Sequence, residues 1–198
     1  AVLDGLSLSK ADSIGDQLAV PFFNLTDNGL HPAHVGAMPF DGEGTPTRAL
    51  PLIQEGRLQS FLHSEATARH FGVDPTGHAG MGAKVSVGPD WFEVSRTPGM
   101  STAAEHLEHS STTQTFVLIE SLSALHAGVK ASQGAFSLPF DGWLVKDGER
   151  ISVEAATVAG DIRDLMRSIV HLEPESVVTH EGVCPYVWVD GLAITGEA

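Results

Sequence analysis

An α+β fold, rich in antiparallel strands with a few short helices packed on the sheet, is what this sequence predicts. Three observations carry that expectation. Glu55-Gly56 and Asp147-Gly148 each separate two strand-like runs, and such pairs adopt the positive φ angles of tight hairpin turns. Strand candidates outnumber helix candidates and are joined by turns rather than helical crossovers. Gly (21) and Pro (11) are plentiful, as many short strands with tight connections require.

In chain order, residues 1–38 are expected to connect from a preceding domain, with a second domain over 39–198. Leu18-Ala-Val-Pro-Phe-Phe-Asn-Leu25 reads as extended, and Pro21 places it at a sheet edge. Asn28-Gly29 is a turn signal, and Phe40-Asp-Gly-Glu-Gly44 is a loop. Arg48–Ile53 and Arg57–Leu62 then pair around Glu55-Gly56. Ser64–His70 forms a short helix stopped by Gly72 and Pro75. The glycine-rich stretch Asp74–Gly88 carries few large apolar residues and reads as loop. Trp91–Val94 is a short strand, and Thr102-Ala-Ala-Glu105 has the spacing of a capping box that opens a helix to about Glu108.

Phe116-Val-Leu-Ile119 is a continuous apolar run with β-branched members, the mark of a buried strand. Ala135–Leu138 leads into the clearest hairpin, Trp143–Lys146 against Glu149–Val153. Asp161 is placed to cap a helix in which Ile162, Leu165, Met166 and Ile169 make one apolar stripe, expected to be buried together. Tyr186–Val189 and Leu192–Thr195 are strands on either side of Asp190-Gly191.

Apolar residues make up 42% of the chain, enough for a core and against global disorder. Lys and Arg total 11 against 25 Asp and Glu, for a formal charge of −14. Phosphate backbones demand clustered basic residues, so nucleic acid is not an expected partner. No apolar run approaches the roughly 18 residues of a membrane span, and no membrane association is expected. The N-terminus has no basic stretch followed by an apolar one, so no signal peptide is expected. One cysteine, Cys184, excludes an internal disulfide framework and fits a reducing, cytoplasmic setting.

Ten histidines invite a metal reading. His106 and His109, in Glu-His-Leu-Glu-His, would share a helix face. The zinc-protease helix needs a Glu directly after the first His, whereas Leu107 stands there, so a solvated polar helix is the plainer account. His31 and His34 flank Pro32 and read as loop surface. His63 and His70 lie two helical turns apart, too far to share an ion. Cys184 follows His180 but reads as a small buried hydrophobe. No three residues show metal-ligand spacing, so neither metal nor other cofactor is expected, and no catalytic set is recognised. Asp41 and Glu43 bracket Gly42; they could act as acid or base or anchor a peptide amine, or simply cap the turn. Thr76 and His78, in Pro75-Thr-Gly-His-Ala79, lie in a glycine-rich loop that could offer N–H groups to an anion or carbonyl.

Taken in order, these segments resemble one family. Phe40-Asp-Gly-Glu-Gly44 with Pro46-Thr-Arg48, the Gly56-Arg-Leu58 turn, Ala68-Arg69 and Pro75-Thr-Gly-His-Ala79 open the resemblance. Ser132-Gln-Gly-Ala-Phe-Ser137, Gly142-Trp-Leu-Val145, Asp147-Gly-Glu149, Val158-Ala-Gly-Asp161 and Val189-Asp-Gly-Leu-Ala-Ile194 continue it. Together they resemble the C-terminal region of the TldD/PmbA family, peptidase-related proteins formerly named modulators of DNA gyrase. The acidic charge gives the gyrase link no support.

The resemblance implies cytoplasmic proteins of peptide maturation and protein turnover, often working as two-protein complexes. The TldD-type member is a zinc metallopeptidase whose His-Glu-x-x-x-His helix lies upstream of the region present here. Its third ligand is a Cys in the stretch before the last strand. His171–Val183 contains no cysteine, and Cys184 falls elsewhere, so the chain resembles the PmbA-type partner. The implied partners are a TldD-type zinc subunit or further copies of the chain, with unfolded peptide as substrate. Asp41, Glu43, Thr76 and His78 are the substrate or interface candidates. The alternative is part of a self-sufficient metallopeptidase with its zinc ligands upstream.

Overall fold

The computed structural model describes residues 7–100 and 115–197, which divide between two compact units. Residues 14–100 with 174–186 form one of them. Its strands begin with β1 (Phe23–Asn28), β2 (Ala49–Gln54) and β3 (Arg57–Leu58), followed by helix α1 (Glu65–Phe71). The short strands β4 (Ala79–Gly80) and β5 (Ser86–Val87) pair with each other, and β6 (Phe92–Arg96) follows.

The β2–β3 hairpin turns on Glu55 and Gly56 at φ 50° and 73°, the geometry their residue types predicted. After Leu58 the chain leaves the ladder, so β3 is shorter than the Arg57–Leu62 run. β1 is not an edge strand. It lies between β2 and β6, antiparallel to both, because Pro21 precedes the strand and removes no ladder hydrogen bond. Phe23, Leu50, Ile53, Leu58 and Trp91 are buried in this unit, each contributing about 1.5–3 kcal/mol by leaving water. Helix α1 is capped by Ser64, whose Oγ accepts from Thr67 N–H, while Thr67 Oγ1 accepts from Ser64 N–H at 2.9 Å. Gly72, in the left-handed conformation, ends it.

Residues 74–88 correct the sequence reading. They hold the β4–β5 pair, and Thr76, Gly77, His78 and Ala79 are buried. Polar residues, not apolar ones, seal this segment through hydrogen bonds, which is why hydropathy read it as open loop.

The second unit comprises, of the described residues, 7–13, 115–173 and 187–197. It contains β7 (Phe116–Leu122), α2 (Leu125–Gly128), β8 (Val129–Lys130), β9 (Ala135–Lys146), β10 (Glu149–Asp161) and α3 (Ile162–Arg167). Strands β11 (Ile169–Val178) and β12 (Gly182–Val189) run through both units, and β13 (Ala193–Glu197) ends the chain. One sheet has the order β13-β10-β9-β7, with β8 beside β9; the other has the order β11-β12-β6-β1-β2-β3. β9 and β10 form a long hairpin on Asp147-Gly148, at φ 51° and 81°. Leu138, Phe140, Ala156 and Val158 make its core, with Val117, Ile119, Phe136, Val153 and Leu192 packed against it.

Two expectations change in this unit. The run Phe116–Ile119 lies on the sheet's edge strand, and only Leu118 in it is fully buried. Helix α3 has six residues; Ile162 is exposed, Leu165 and Met166 are half-buried, and Ile169 is buried in β11. The helical spacing of those four crosses a helix–strand boundary, so no single face holds them. Asp190-Gly191 separates strands of different sheets, with β12 pairing parallel to β6 and β13 antiparallel to β10. The Thr102–Glu108 helix, with His106 and His109, lies outside the described residues. No helix among the described residues is long and apolar enough to cross a membrane.

Candidate functional site

The first unit contains a cleft of about 380 Å³, walled by the Phe40–Gly42 loop, residues 77–80, Ser86 and residues 88–90, with Met38 and Thr47. Its walls are pinned by two carboxylates. Asp41 Oδ1 accepts from Glu43 and Thr45 N–H, and its Oδ2 accepts from Ala79 N–H, each at 2.9 Å. Gly42 N–H donates back to Ala79 O at 2.7 Å, which staples the loop to β4. Burial pushes the Asp41 carboxyl up, but the N–H groups of Ala79, Thr45, Glu43 and Gly44 outweigh it and hold the acid below its ordinary range.

Asp27, on β1, is fully buried and accepts from the backbone N–H of Asp90 and Trp91 at 3.0 Å each. Its Oδ2 lies 3.4 Å from His78 Nε2. Burial raises the Asp27 carboxyl, and the His78 ring with the Trp91 and Asp90 amides more than reverses that, so Asp27 stays below its ordinary range. His78 Nδ1 is 2.9 Å from Thr76 Oγ1, which accepts from His63 N–H at 2.7 Å and donates to His63 O at 3.1 Å. His63 packs edge-on against Phe71, and burial lowers its pKa.

The sequence Thr76–His78–Asp27 has the residue types of a nucleophile relay, but its geometry is structural. Thr76 is buried, and its hydroxyl already donates to and accepts from the His63 backbone. A nucleophile must present a free lone pair to a substrate carbon, and this oxygen does not. The network instead ties the 76–79 segment to β1 and to the entry of α1.

Of the four candidates read from sequence, Asp41 and His78 line this cleft, and Thr76 is buried behind His78, bonded to its ring. Glu43 turns away, its Oε2 accepting from Glu65 N–H at the start of α1. Asp27 was missed. Its signal was an acid in phase with the inward Phe23 of the same strand, a position that burial forces to find partners. His31 and His34 are not plain loop surface. Both rings stack on Trp91, with centroids 4.5 and 5.7 Å away. Cys184 is exposed rather than buried.

Fold and site together define a strand-rich α+β domain with a ligand-sized cleft and no assembled hydrolytic centre among the described residues. The model of the PmbA/TldA metallopeptidase C-terminal domain matches residues 1–196, and the chain belongs to that family. It is 27% identical to the metalloprotease PmbA of Escherichia coli O157:H7 over 94% of its own length and 38% of that protein's. A TldD homologue of Haemophilus influenzae is 34% identical over 65 residues, 33% of this chain and 14% of that protein. Among solved structures, a proposed modulator of a DNA gyrase from Thermotoga maritima superposes with a TM-score of 0.82 at 32% identity, covering 98% of this chain and 44% of that one. TldE from Thermococcus kodakarensis shares the fold, with a TM-score of 0.77 at 20% identity, over 99% of this chain and 46% of that one. The chain thus spans less than half the length of these relatives.

The family's metallopeptidase name implies a metal. Among the described residues no three His, Cys, Asp or Glu side chains converge as ligands. Asp27 and His78 meet as a pair, already engaged with backbone amides and Thr76. The described residues do not fit a metal centre, and no chemical step is routed through one.

Proposed function

We propose that this chain is the C-terminal domain of a PmbA-type, non-zinc subunit that works with a TldD-type zinc subunit in a heteromeric, cytoplasmic metallopeptidase. Its part is to receive unfolded peptide for maturation or turnover, while the zinc-bearing subunit cleaves. Neither duplex nucleic acid nor membrane is a partner. The observation that carries the reading is the match to a PmbA-named relative along 94% of the chain, against 33% for the TldD-named one. Exposed sheet edges suit peptide capture by strand addition.

The test incubates the full-length protein with a denatured protein, alone and with a TldD-type subunit. Cleavage is expected only with the partner and is lost on adding a chelator. A second reading, a self-sufficient metallopeptidase with upstream ligands, has in its favour that the PmbA relative is itself called a metalloprotease. Chelator-sensitive cleavage by the full-length protein alone would establish the second reading and end the first.

A further inference from the structure

We propose that the buried contact between His78 and Asp27 is a proton-operated latch on the inner wall of the cleft. The latch is shut while the His78 ring is charged and opens when the ring gives up a proton. This inference goes beyond the peptide-handling reading and does not depend on it.

The contact joins two elements that are distant in sequence. Asp27 lies on β1, and His78 lies in the 77–80 segment that forms one wall of the cleft. Their side chains are 0% and 1% exposed, so water reaches neither group. Burial raises the Asp27 carboxyl, but the His78 ring and the Trp91 and Asp90 amides more than reverse this, and the acid stays ionised at neutral pH. No Lys or Arg among the described residues pairs with it. His78 is therefore the group placed to balance that charge. A charged ring makes the buried pair neutral as a whole. A neutral ring leaves one uncompensated carboxylate in the interior, a strongly destabilising state.

The two sides of the ring respond differently to the proton. Nδ1 lies 2.9 Å from Thr76 Oγ1, and a hydroxyl serves the ring in either state, accepting from N–H or donating to a bare nitrogen. Nε2 stands 3.4 Å from Asp27 Oδ2 and makes no hydrogen bond of good geometry. Attraction between opposite charges persists at that distance, whereas a hydrogen bond from a neutral ring is weak there. The contact with Asp27 thus depends on the charge of the ring.

The other titratable groups around the ring do not take over its role. Asp41, on the loop stapled to β4, accepts from Ala79 N–H, and Asp90, ahead of β6, lines the same cleft. Both are acids, so neither replaces a lost positive charge. His63, at the entry of α1, reaches the ring through Thr76. Burial favours the neutral form of His63, so its own effect on stability runs in the opposite direction with pH. His31 and His34, on the loop after β1, are stacked on Trp91. Opening leaves the wall tethered, because Gly42 N–H still donates to Ala79 O and β4 still pairs with β5. The wall loosens, and the unit does not unfold.

Hydrogen–deuterium exchange of the full-length protein, followed by mass spectrometry from about pH 5.5 to about pH 8.5, tests the latch. Protection factors corrected for the intrinsic rate at each pH are expected to fall about tenfold in peptides covering residues 76–80 as pH rises. The β9–β10 hairpin should hold its protection throughout. NMR shifts of the His78 ring nitrogens, assigned through the residue's own backbone, should change over the same interval. His78→Gln never carries the charge and should show low protection at every pH. Asp27→Asn removes the charge to be balanced while keeping an acceptor oxygen for the amides, and should stay protected at every pH. His63→Gln should leave the fall in place. A parent whose protection is constant, or a fall that persists in Asp27→Asn, would overturn the latch. So would a fall outside the interval in which the His78 ring titrates, or one abolished by His63→Gln. The comparison of parent with Asp27→Asn decides the matter even where His78→Gln fails to fold.

Discussion

Asp27 Oδ2 and His78 Nε2 lie 3.4 Å apart with their side chains 0% and 1% exposed, joining β1 to the segment that forms the inner wall of the cleft. These residues are far apart in sequence, and the contact closes that loop around the amides of Asp90 and Trp91. A buried carboxylate of this kind holds structure only while all its partners remain.

Replacing Asp27 by Ala is therefore expected to cost about 3–5 kcal/mol, since two buried amides and the His78 ring lose their acceptor together. Asp27→Asn keeps one acceptor oxygen and should cost less. Urea unfolding of the two variants checks the order; an Asp27→Ala protein as stable as the parent would contradict it.

Acid should loosen the same region. Asp27 and Asp41 both have folded-state pKa values below the ordinary value of 3.8. Between the folded and unfolded values the unfolded chain binds more protons, so stability rises with pH there. Their contribution is complete above about pH 5 and is lost as pH falls through the folded values, below about pH 4. Thermal unfolding across that range is expected to show a steep fall, and Asp27→Asn should flatten it.

His63 acts at a higher pH and by a different cause. Burial lowers its pKa from the ordinary 6.5, so the folded state favours the neutral ring. Its stabilising effect is present above about pH 6.5 and is lost as pH falls through the depressed folded value. A His63→Gln protein should lose the part of the pH dependence that lies below the ordinary histidine value of 6.5. Melting temperatures at matched ionic strength would decide it, and an unchanged profile would remove His63 from the account.

The His31 and His34 rings cover Trp91, which is 1% exposed. Replacing both by Ala is expected to admit water to the indole, red-shifting tryptophan emission and lowering stability by about 1–2 kcal/mol. Emission that stays blue and a stability within error would mean that the neighbouring backbone, not the rings, shields Trp91.

Backbone strain offers a prediction of the opposite sign. Ala155 has φ 48° at the bulge where β10 shifts register against both β9 and β13. An alanine in the left-handed region costs about 1–2 kcal/mol, and glycine relieves that at some cost in unfolded-chain entropy. Ala155→Gly should raise stability by about 0.5–1 kcal/mol, measured by urea midpoint at constant slope.

Local chemistry was legible in the sequence wherever a few adjacent residues decide the outcome. Glu55-Gly56 and Asp147-Gly148 turn because their own φ preferences allow it, Ser64 and Gly72 delimit α1, and Asp161 caps α3. The strand-rich α+β class and the family followed from those signals in order. What only the tertiary structure decided is everything that depends on distant partners. β1 became an interior strand because β2 and β6 both reached it, and Pro21 lay outside the ladder. Ile162 and Ile169 parted because β11 claimed the second. Above all, nothing local to Asp27, Asp41 or His78 says that one acid would be sealed against an imidazole while another would pin a loop to β4. Hydrogen bonding and desolvation act on whichever groups the folded chain brings within about 3 Å, and sequence separation does not reveal which those are.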